Sequence, residues 1–437
     1  MHRPRIVIVG AGFAGYQAAR SLTRSLGADA EIVLINPTDY FLYLPLLPEV
    51  AAGVLDPRRV AVPLPASLPG VRLALGEVDV IDLADSCVEW VDPEGGRERI
   101  RYDRLVLAAG SVNKLLPVPG IAEHATGFRG LPEALYLRDH VTRQIELADG
   151  TTDPHERESR CTFVVVGAGY TGTEIAAQGP LLTTALARSH PRLRDQPIRW
   201  MLLDVAPRVL PELDERLSRT ATEVLRSRGV EVRTGQSVEE ATADGVRLTT
   251  GETVPTRTIA WCVGVRPDPL VSELGLPMEK GRLVVDEYLQ VPGHPEVFAC
   301  GDAAAVPDLT SPGDTTAPTA QHAVRQGRRA GRNVAASLRR GHAEAKAYKH
   351  HDLGFVVDLG GRAAAANPLR VPMSGLPAKA VSRGYHLLSM PGNRIRTAVD
   401  WTLDGVLGRQ TVQLGLVRSP SVPLDTASPE TPRRPSA

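Results

Sequence analysis

The sequence predicts an α/β fold with two nested Rossmann-like domains and a C-terminal α+β segment, because one pattern occurs twice. A β-branched apolar run leads into Gly-Ala-Gly-x-x-Gly and a helix-like sequence, first as IVIVGAGFAGYQ (6–17) and again as VVVGAGYTGTEIAAQ (164–178). This is the order of strand, glycine-rich turn and helix that opens a βαβ unit. A later apolar run, EVFACGDA (296–303), is expected to supply a closing strand for the first domain.

The first domain is expected at residues 1–118 and 289–345. It is expected to open with a strand at 6–9, a helix that ends at about Leu26 and a second strand at 31–35. Further strands are expected at 71–81, 87–91, 98–102 and 102–111. The last strand ends in small residues, which let the backbone approach a ligand closely. The stretch DYFLYLPLLPEVAAGVLDP (39–57) has no clean period, so it is either a buried connection or a cover over a flat apolar ligand.

The second domain is expected at 119–288, inserted into the first. Its elements are a strand–loop–helix at 162–178, a strand at 199–204, a helix between Asp214 and Gly229, and a strand run that ends at 259–263. Residues 346–418 mix strands with an amphipathic helix and are expected to serve in membrane association or dimerisation. The tail at 419–437 is rich in Pro, Ser and Thr and is predicted to be disordered.

Composition excludes several classes of protein. The 437 residues carry 50 Lys and Arg against 50 Asp and Glu, with 4% aromatic residues, so neither a basic nucleic-acid surface nor a stacking platform is expected. The four cysteines lie far apart, so we expect no metal site, no local redox disulfide and a reducing, cytoplasmic compartment. Strand residues begin at Ile6 and no apolar run reaches 18 residues, so we expect no signal peptide and no spanning helix.

Each glycine of the two loops has a physical role. Gly10 permits a tight turn, Gly12 lets backbone N–H groups reach a pyrophosphate, and Gly15 lets the helix pack closely on the strand. The helix N-terminus adds a favourable dipole. The second loop repeats these roles at Gly167, Gly169 and Gly172. Two such loops indicate two bound nucleotides.

The ribose partner of each nucleotide is expected at the end of the next strand. In the second domain this residue is Asp204, whose carboxylate accepts from both ribose hydroxyls and repels a 2′-phosphate. NADH is therefore favoured over NADPH. In the first domain the residue is Asn36, which binds a hydroxyl more weakly.

Two further motifs, AAGS (108–111) and ACGDA (299–303), make the chain resemble the two-dinucleotide flavoproteins. In that superfamily the aspartate that matches Asp302 binds the ribityl and phosphate groups of FAD. The resemblance implies FAD at Gly10, Gly12, Phe13, Ala14, Gly15, Asn36, Ala109, Gly110, Gly301 and Asp302. It implies NADH at Gly167, Gly169, Tyr170, Thr171, Gly172, Asp204 and Gly264.

Three motifs are similar to those of the type II NADH dehydrogenases: YFLYLPLLPEVAAGVL (40–55), AGYTGTE (168–174) and APTAQHAVRQG (317–327). The resemblance implies that Glu174 lies near the nicotinamide and flavin, although its position alone also fits a first-turn acid that favours its helix dipole. It implies a quinone at Gln321, with His322, Arg325 and Gln326 as neighbours. The family usually has Gln where this chain has Arg325. A helix from about Thr319 would direct its N–H groups at the charge of a reduced flavin.

The expected function is that of an FAD-dependent NADH:quinone oxidoreductase that does not pump protons. It would act on menaquinone or ubiquinone as a peripheral protein, or a homodimer, at the inner face of the cell membrane. Three alternatives remain open. A sulfide:quinone oxidoreductase needs reactive cysteines, a ferredoxin or rubredoxin reductase needs a basic patch for an acidic protein, and a redox sensor would show negligible turnover with quinones.

The stretch from Arg362 to Arg418 carries eight basic residues against Asp400 and Asp404. The basic residues are Arg362, Arg370, Lys379, Arg383, Arg394, Arg396, Arg409 and Arg418. Apolar residues follow a helical period beside Trp401, at Ile395, Ala398, Val399, Thr402, Val406 and Leu407. This pattern predicts a helix that lies on an anionic membrane, or else one that packs on the FAD domain or a second subunit.

Overall fold

A computed structural model describes residues 3–339, 345–350, 353–407, 409 and 411–424. The helices of this part of the chain are α1 (Phe13–Leu26), α2 (Leu47–Ala51), α3 (Leu64–Ser67), α4 (Ile121–His124), α5 (Leu131–Gly150), α6 (Pro154–Arg160), α7 (Tyr170–Ala187), α8 (Glu215–Ser227), α9 (Ala320–Arg339), α10 (Gly375–Ser389) and α11 (Arg394–Leu407).

The strands are β1 (Arg5–Val9), β2 (Glu31–Asn36), β3 (Tyr40–Leu42), β4 (Ala61–Pro63), β5 (Val71–Leu75), β6 (Glu77–Asp82), β7 (Cys87–Val91), β8 (Arg97–Arg101), β9 (Arg104–Leu107), β10 (Ser111–Asn113), β11 (Thr162–Val166), β12 (Arg199–Asp204), β13 (Val230–Thr234), β14 (Val238–Ala241), β15 (Gly245–Leu248), β16 (Thr253–Pro255), β17 (Thr258–Trp261), β18 (Val265–Pro267), β19 (Met278–Glu279), β20 (Arg282–Val284), β21 (Gln290–Val291), β22 (His294–Ala299), β23 (Ala304–Ala305), β24 (Val356–Asp358), β25 (Ala364–Ala366) and β26 (Met373–Ser374).

The chain forms two compact units, each built from three stretches. Unit 1 comprises Met1–Leu42, Ala61–Val112 and Val265–Asp352. Unit 2 comprises Tyr43–Val60, Asn113–Gly264 and Leu353–Ala437. The two units alternate along the chain, which agrees with the predicted insertion of one dinucleotide-binding domain in another, but their bounds differ from the predicted ones. Unit 1 resumes at Val265 rather than at 289, and the segment expected at 346–418 belongs mainly to unit 2.

Unit 1 is organised around a six-stranded sheet of order β21-β22-β9-β1-β2-β5. Strands β22, β9, β1, β2 and β5 are parallel, with Ile6 of β1 between Ile32 of β2 and Arg104 of β9. The central strands β1, β2 and β9 are buried over almost their whole length, which is why they read as continuous apolar runs. The predicted closing strand is β22, which pairs with β9 as expected.

Helices α1 and α9 of unit 1 pack at very short range. A Cβ atom on Gly327 would overlap the backbone of Ala14, and one on Gly331 would overlap the Ala18 carbonyl and the Ser21 side chain. The absence of a side chain at these two glycines therefore sets the distance between the helices. This packing fixes the start of α9 against the loop between β1 and α1.

Unit 2 contains a parallel sheet of order β13-β12-β11-β17, which follows the same βαβ logic. Helix α8 begins after Asp214, whose side chain accepts from the Arg216 N–H (2.9 Å) and caps the helix as the sequence predicts. The apolar cluster on one side of this sheet includes Val164, Met201 and Ile259.

The prediction of a disordered tail from residue 419 is wrong for its first six residues. Residues Ser419–Ser421 form one turn of 3₁₀ helix, and Val422 and Leu424 are buried. Leu424 belongs to the apolar cluster of unit 2. Burial of the Val422 and Leu424 side chains is favourable and orders this Pro-rich stretch. Residues 425–437 lie outside the described part of the chain.

Candidate functional site

The glycine loop of unit 1 has room for a ligand at one glycine only. Gly10 has a positive φ of 89°, and a Cβ there would lie 2.5 Å from the Ala108 carbonyl oxygen. A Cβ on Gly15 would overlap the Gly10 carbonyl. A Cβ on Gly12 would meet no protein atom within 4 Å. Packing therefore requires the first and third glycines, whereas the middle glycine borders open space at the N-terminus of α1.

The loop of unit 2 repeats this arrangement. A Cβ on Gly167 would overlap the Cys262 carbonyl, and one on Gly172 would overlap the Gly167 carbonyl. A Cβ on Gly169 would meet nothing within 4 Å, at the N-terminus of α7. Both loops thus fit the close approach of a pyrophosphate to backbone N–H groups at the start of a helix.

Asn36 and Asp204 occupy matching positions at the ends of β2 and β12. The Asn36 Oδ1 accepts from the Ala11 N–H (2.8 Å), and the Asp204 Oδ2 accepts from the Ala168 N–H (2.5 Å). Each side chain therefore braces its own glycine loop between the first two glycines. Asn36 is buried and also donates to Thr38, so its amide is engaged in the loop. Asp204 is only half-buried.

The carboxyl ends of β9 and β22 bring the other predicted flavin residues together. Gly110 and Gly301 follow these strands with positive φ values of 77° and 75°. Asp302 is half-buried, and its Oδ2 accepts from the Ser111 hydroxyl (2.7 Å). Ala109, which precedes Gly110 after β9, lies at the same edge of the sheet, which is where open α/β sheets bind ligands.

The remaining predicted cofactor residues lie at the helix starts and at the end of β17. The Phe13 ring meets Phe41 edge-on at 5.1 Å, and the Tyr170 ring meets Phe355 at 6.2 Å. Ala14 packs under Gly301 and Gly327, while Thr171 is half-buried in the first turn of α7. Gly264 is exposed, with a φ of 104° and open space around its Cα.

Glu174 faces the C-terminal part of unit 2. Its Oε1 accepts from the Asp358 N–H (2.8 Å). Removal from water raises the pKa of Glu174 well above its usual value, and the nearby carboxylates of Asp358 and Glu49 raise it further. Its surroundings therefore favour the neutral, protonated carboxyl group. Since Oε1 accepts a hydrogen bond, Oε2 is the oxygen that carries the proton in that neutral form.

A buried cluster of charges that sequence reasoning missed continues from Glu174. Asp358 accepts from the Lys379 ammonium at 2.7 and 2.5 Å, and Lys379 Nζ lies 3.9 Å from Glu49 Oε1. The Trp401 Nε1–H donates to Glu49 Oε2 (2.5 Å). Burial, and after it the Asp358 carboxylate, raise the pKa of Glu49 to about 7 against the opposing effects of Lys379, Trp401 and Arg383. The signal in the sequence that could have revealed this cluster is Glu49, an acidic residue within the apolar stretch 39–57.

This cluster shows which residues of the basic C-terminal segment are turned inward. The segment was predicted to lie on a membrane or to pack on the FAD domain or a second subunit, and its Lys379 and Trp401 are both 5% exposed. The Arg409 side chain is also largely enclosed, beside Asp404. A helical period identifies which residues share a face, but it does not tell which face is turned inward.

The predicted quinone residues all lie in the first two turns of α9. Gln321 Oε1 accepts from His350 Nε2 (2.7 Å), and His322 Nδ1 lies 2.8 Å from the Tyr348 hydroxyl. Arg325 donates to the Gln321 carbonyl (3.1 Å). Gln326 is buried, accepts from the Gly301 N–H and donates to Thr316, so it holds the Asp302 turn against α9.

The four cysteines have free thiols that are buried or half-buried and form no disulfide. Cys87, Cys161 and Cys300 are buried and Cys262 is half-buried, all with free thiols. Burial raises the pKa of Cys161 to about 11 and those of Cys262 and Cys300 to about 12. Such thiols are poor nucleophiles at neutral pH.

Comparison with known proteins identifies the family. The pattern of pyridine nucleotide-disulphide oxidoreductases matches residues 4–327. A type II NADH:quinone oxidoreductase of Mycobacterium tuberculosis is 32% identical over 417 residues, covering 92% of this chain and 88% of the relative. The chain belongs to the type II NADH:quinone oxidoreductase family. The family resemblance predicted from the three sequence motifs is confirmed.

Other members of the family and its fold are also similar. An internal alternative NAD(P)H-ubiquinone oxidoreductase of Solanum tuberosum is 30% identical, over 93% of this chain and 87% of its own. The solved structure of NDH2 from Plasmodium falciparum in complex with NADH superposes with a TM-score of 0.86 at 16% identity, covering 94% of this chain and all of that one. The predicted class of two nested dinucleotide-binding domains is therefore confirmed.

Proposed function

We propose that this chain is an FAD-dependent NADH:quinone oxidoreductase that pumps no protons. The observation that carries the proposal is the matched pair of glycine loops, in which only the middle glycine of each borders open space. Unit 1 provides Asp302 beside its loop, and unit 2 provides Asp204. One unit therefore fits FAD and the other fits NADH. Family membership supplies the quinone as the acceptor.

When bound, FAD would supply the two-electron chemistry that couples oxidation of NADH to reduction of the quinone. The chain's own residues bind and orient the reactants: the start of α1 and Asp302 hold the flavin nucleotide, and the start of α7 and Asp204 hold NADH. The balanced reaction, NADH + H⁺ + quinone → NAD⁺ + quinol, consumes one proton beyond the transferred hydride. Glu174, whose burial favours the protonated form of its carboxyl group, is the residue that would supply this proton.

The acceptor profile of the purified protein tests this function. We expect one flavin per chain and rapid oxidation of NADH with menaquinone and ubiquinone analogues. Sulfide should not act as a donor, because each cysteine thiol for which a pKa is resolved has a raised value. If ferredoxin or rubredoxin is reduced much faster than any quinone, the protein is a ferredoxin or rubredoxin reductase and the proposed function is wrong.

Gln321 provides the residue-level test of the quinone site. Gln321→Ala removes the amide that the family resemblance places beside the quinone. We expect the KM for quinone to rise by about tenfold, from the loss of one hydrogen bond, while the KM for NADH stays within twofold. An increase confined to the KM for NADH would place the quinone elsewhere.

We propose that α11 holds the protein on the cytoplasmic face of the membrane. No helix in the described residues is long and apolar enough to cross a bilayer. An exposed apolar stripe runs along this helix, with Ile395 at 81% and Val406 at 76% exposure, and it continues at Val399, Leu403 and Leu407. Arg394 and Arg396 are exposed at the start of the same helix. An apolar stripe with basic neighbours suits an anionic lipid surface.

The test replaces surface side chains only, since truncation before α11 would also remove Trp401 from Glu49. The variant Ile395→Ser/Val406→Ser/Leu407→Ser should lose sedimentation with phosphatidylglycerol-containing vesicles. It should keep its flavin and its activity with a water-soluble quinone. Leu147→Ser, at an exposed leucine of α5, is the matched control. Unchanged vesicle binding together with a smaller assembly in sedimentation would identify the stripe as a subunit interface.

A further inference from the structure

A pair of histidines lies against Gln321 at the start of α9. His350 Nε2 is 2.7 Å from Gln321 Oε1, and His322 Nδ1 is 2.8 Å from the Tyr348 hydroxyl. The two imidazole rings lie 5.3 Å apart and nearly perpendicular, at 87°. Tyr348 is buried, so this stretch of chain is anchored beside the helix. The first turn of α9 and residues 345–350 therefore form one hydrogen-bonded cluster.

The chemistry of this contact fixes the orientation of the glutamine amide. An amide oxygen only accepts hydrogen bonds, so the hydrogen in this contact is on Nε2 of His350. With its oxygen held by His350, Gln321 turns its amide nitrogen to the other side. That nitrogen carries two hydrogens, so it can keep a contact within the protein and still donate to a substrate oxygen.

We propose that His350 is a positioning residue for the quinone, acting through Gln321. A quinone carbonyl oxygen accepts hydrogen bonds and has no hydrogen to donate, so it needs the nitrogen side of the amide. An amide free to rotate must be ordered when the substrate binds, and this ordering weakens binding. His350 does the ordering in advance. The inference rests on the proposed function, which places the quinone at Gln321.

The experiment uses the full-length, flavin-loaded protein with ubiquinone-1 as the probe. His350→Leu removes the donor, and His350→Asn is a polar variant too short to place one at the same point. His350→Gln is the matched control, because its amide nitrogen reaches the position of the imidazole Nε2. We expect the KM for quinone to rise about fivefold in His350→Leu and His350→Asn, and by less than twofold in His350→Gln. The KM for NADH and the rate of flavin reduction should not change.

A double-mutant cycle separates this inference from the proposed function. In a Gln321→Ala background, His350→Leu should leave the KM for quinone unchanged, because the amide it orients is gone. If Gln321→Ala itself has no effect on that KM, the proposed quinone site fails. The inference about His350 is overturned if Gln321→Ala raises the KM and His350→Leu does not. It is also overturned if the two effects add in full, or if His350→Leu and His350→Asn both lose their flavin.

Discussion

Asp204 combines two tasks in one carboxylate. It accepts from the Ala168 and Ala206 N–H groups, and it is the group expected to bind the ribose hydroxyls of NADH. Asp204→Asn keeps an oxygen for the loop but removes the charge that repels a 2′-phosphate. We therefore expect the preference for NADH over NADPH to fall about tenfold in flavin bleaching measured by stopped flow. An unmodified protein bleached equally by both cofactors would contradict the assignment.

Glu174→Gln keeps the size and the accepting oxygen of the side chain and removes its titratable proton. We expect quinone turnover to fall by about tenfold or more, with unchanged flavin content. Turnover of the unmodified protein should decline as pH rises through the raised pKa of Glu174, and the variant should lack this decline. The exposed first-turn acid of α8 provides the control variant, Glu215→Gln. Loss of flavin in Glu174→Gln would make Glu174 a structural residue.

The contact between α2 and α11 depends on one buried hydrogen bond. Trp401→Phe keeps an aromatic ring below Arg383 and removes the Nε1–H donor to Glu49. The buried acceptor then lacks a partner, so the free energy of unfolding should fall by about 1–3 kcal/mol in urea titrations. Glu49→Gln keeps an oxygen that accepts from the indole and should cost less. Equal losses in the two variants would show that packing dominates this contact.

The elements differ in how far the sequence could predict them. The strands beside Gly10 and Gly167, and the cap of α8 at Asp214, follow from local patterns, and the structure contains them. Helix α5 was not predicted, because Glu133, Asp139 and Gln144 lie on its buried face and obscure the apolar period. The Glu49–Trp401 contact joins residues far apart in the chain, and no local rule pairs them. Long-range partners decide which side of an amphipathic segment is buried.

Buried neutral histidines make part of the protein's stability sensitive to acid. Burial lowers the pKa of His140 and of His386 to about 4, so between pH 6.5 and 4 the unfolded chain binds protons that the folded chain does not. Each histidine thus contributes stability that is lost as pH falls through this window, about 2 kcal/mol between pH 7 and 5. Glu49 has the opposite effect on stability. Because its pKa is raised to about 7 in the folded protein, its contribution to the free energy of unfolding increases as pH falls.

Comparison of variants isolates the histidine contribution. The free energy of unfolding of the unmodified protein and of His140→Gln is measured by urea titration at pH 7 and at pH 5. The unmodified protein should lose more of this free energy between pH 7 and pH 5 than the variant does, by about 2 kcal/mol. Identical pH dependence in both proteins would mean that His140 titrates alike in the folded and unfolded chain. His155→Gln, at an exposed histidine, serves as the control.

The threading of unit 1 sets the order in which the protein matures during synthesis. Residues Asn113–Gly264 include all four strands of the unit 2 sheet, so these strands can pair as soon as they leave the ribosome. Strand β9 must wait for β22, and until then it is an open edge that invites wrong pairing. At ordinary translation rates this interval is roughly 10 to 40 s. Because Asp302 and α9 follow β22, flavin capture is one of the last events of biogenesis, and a ribosome that stalls before residue 294 leaves a chain unable to hold its cofactor.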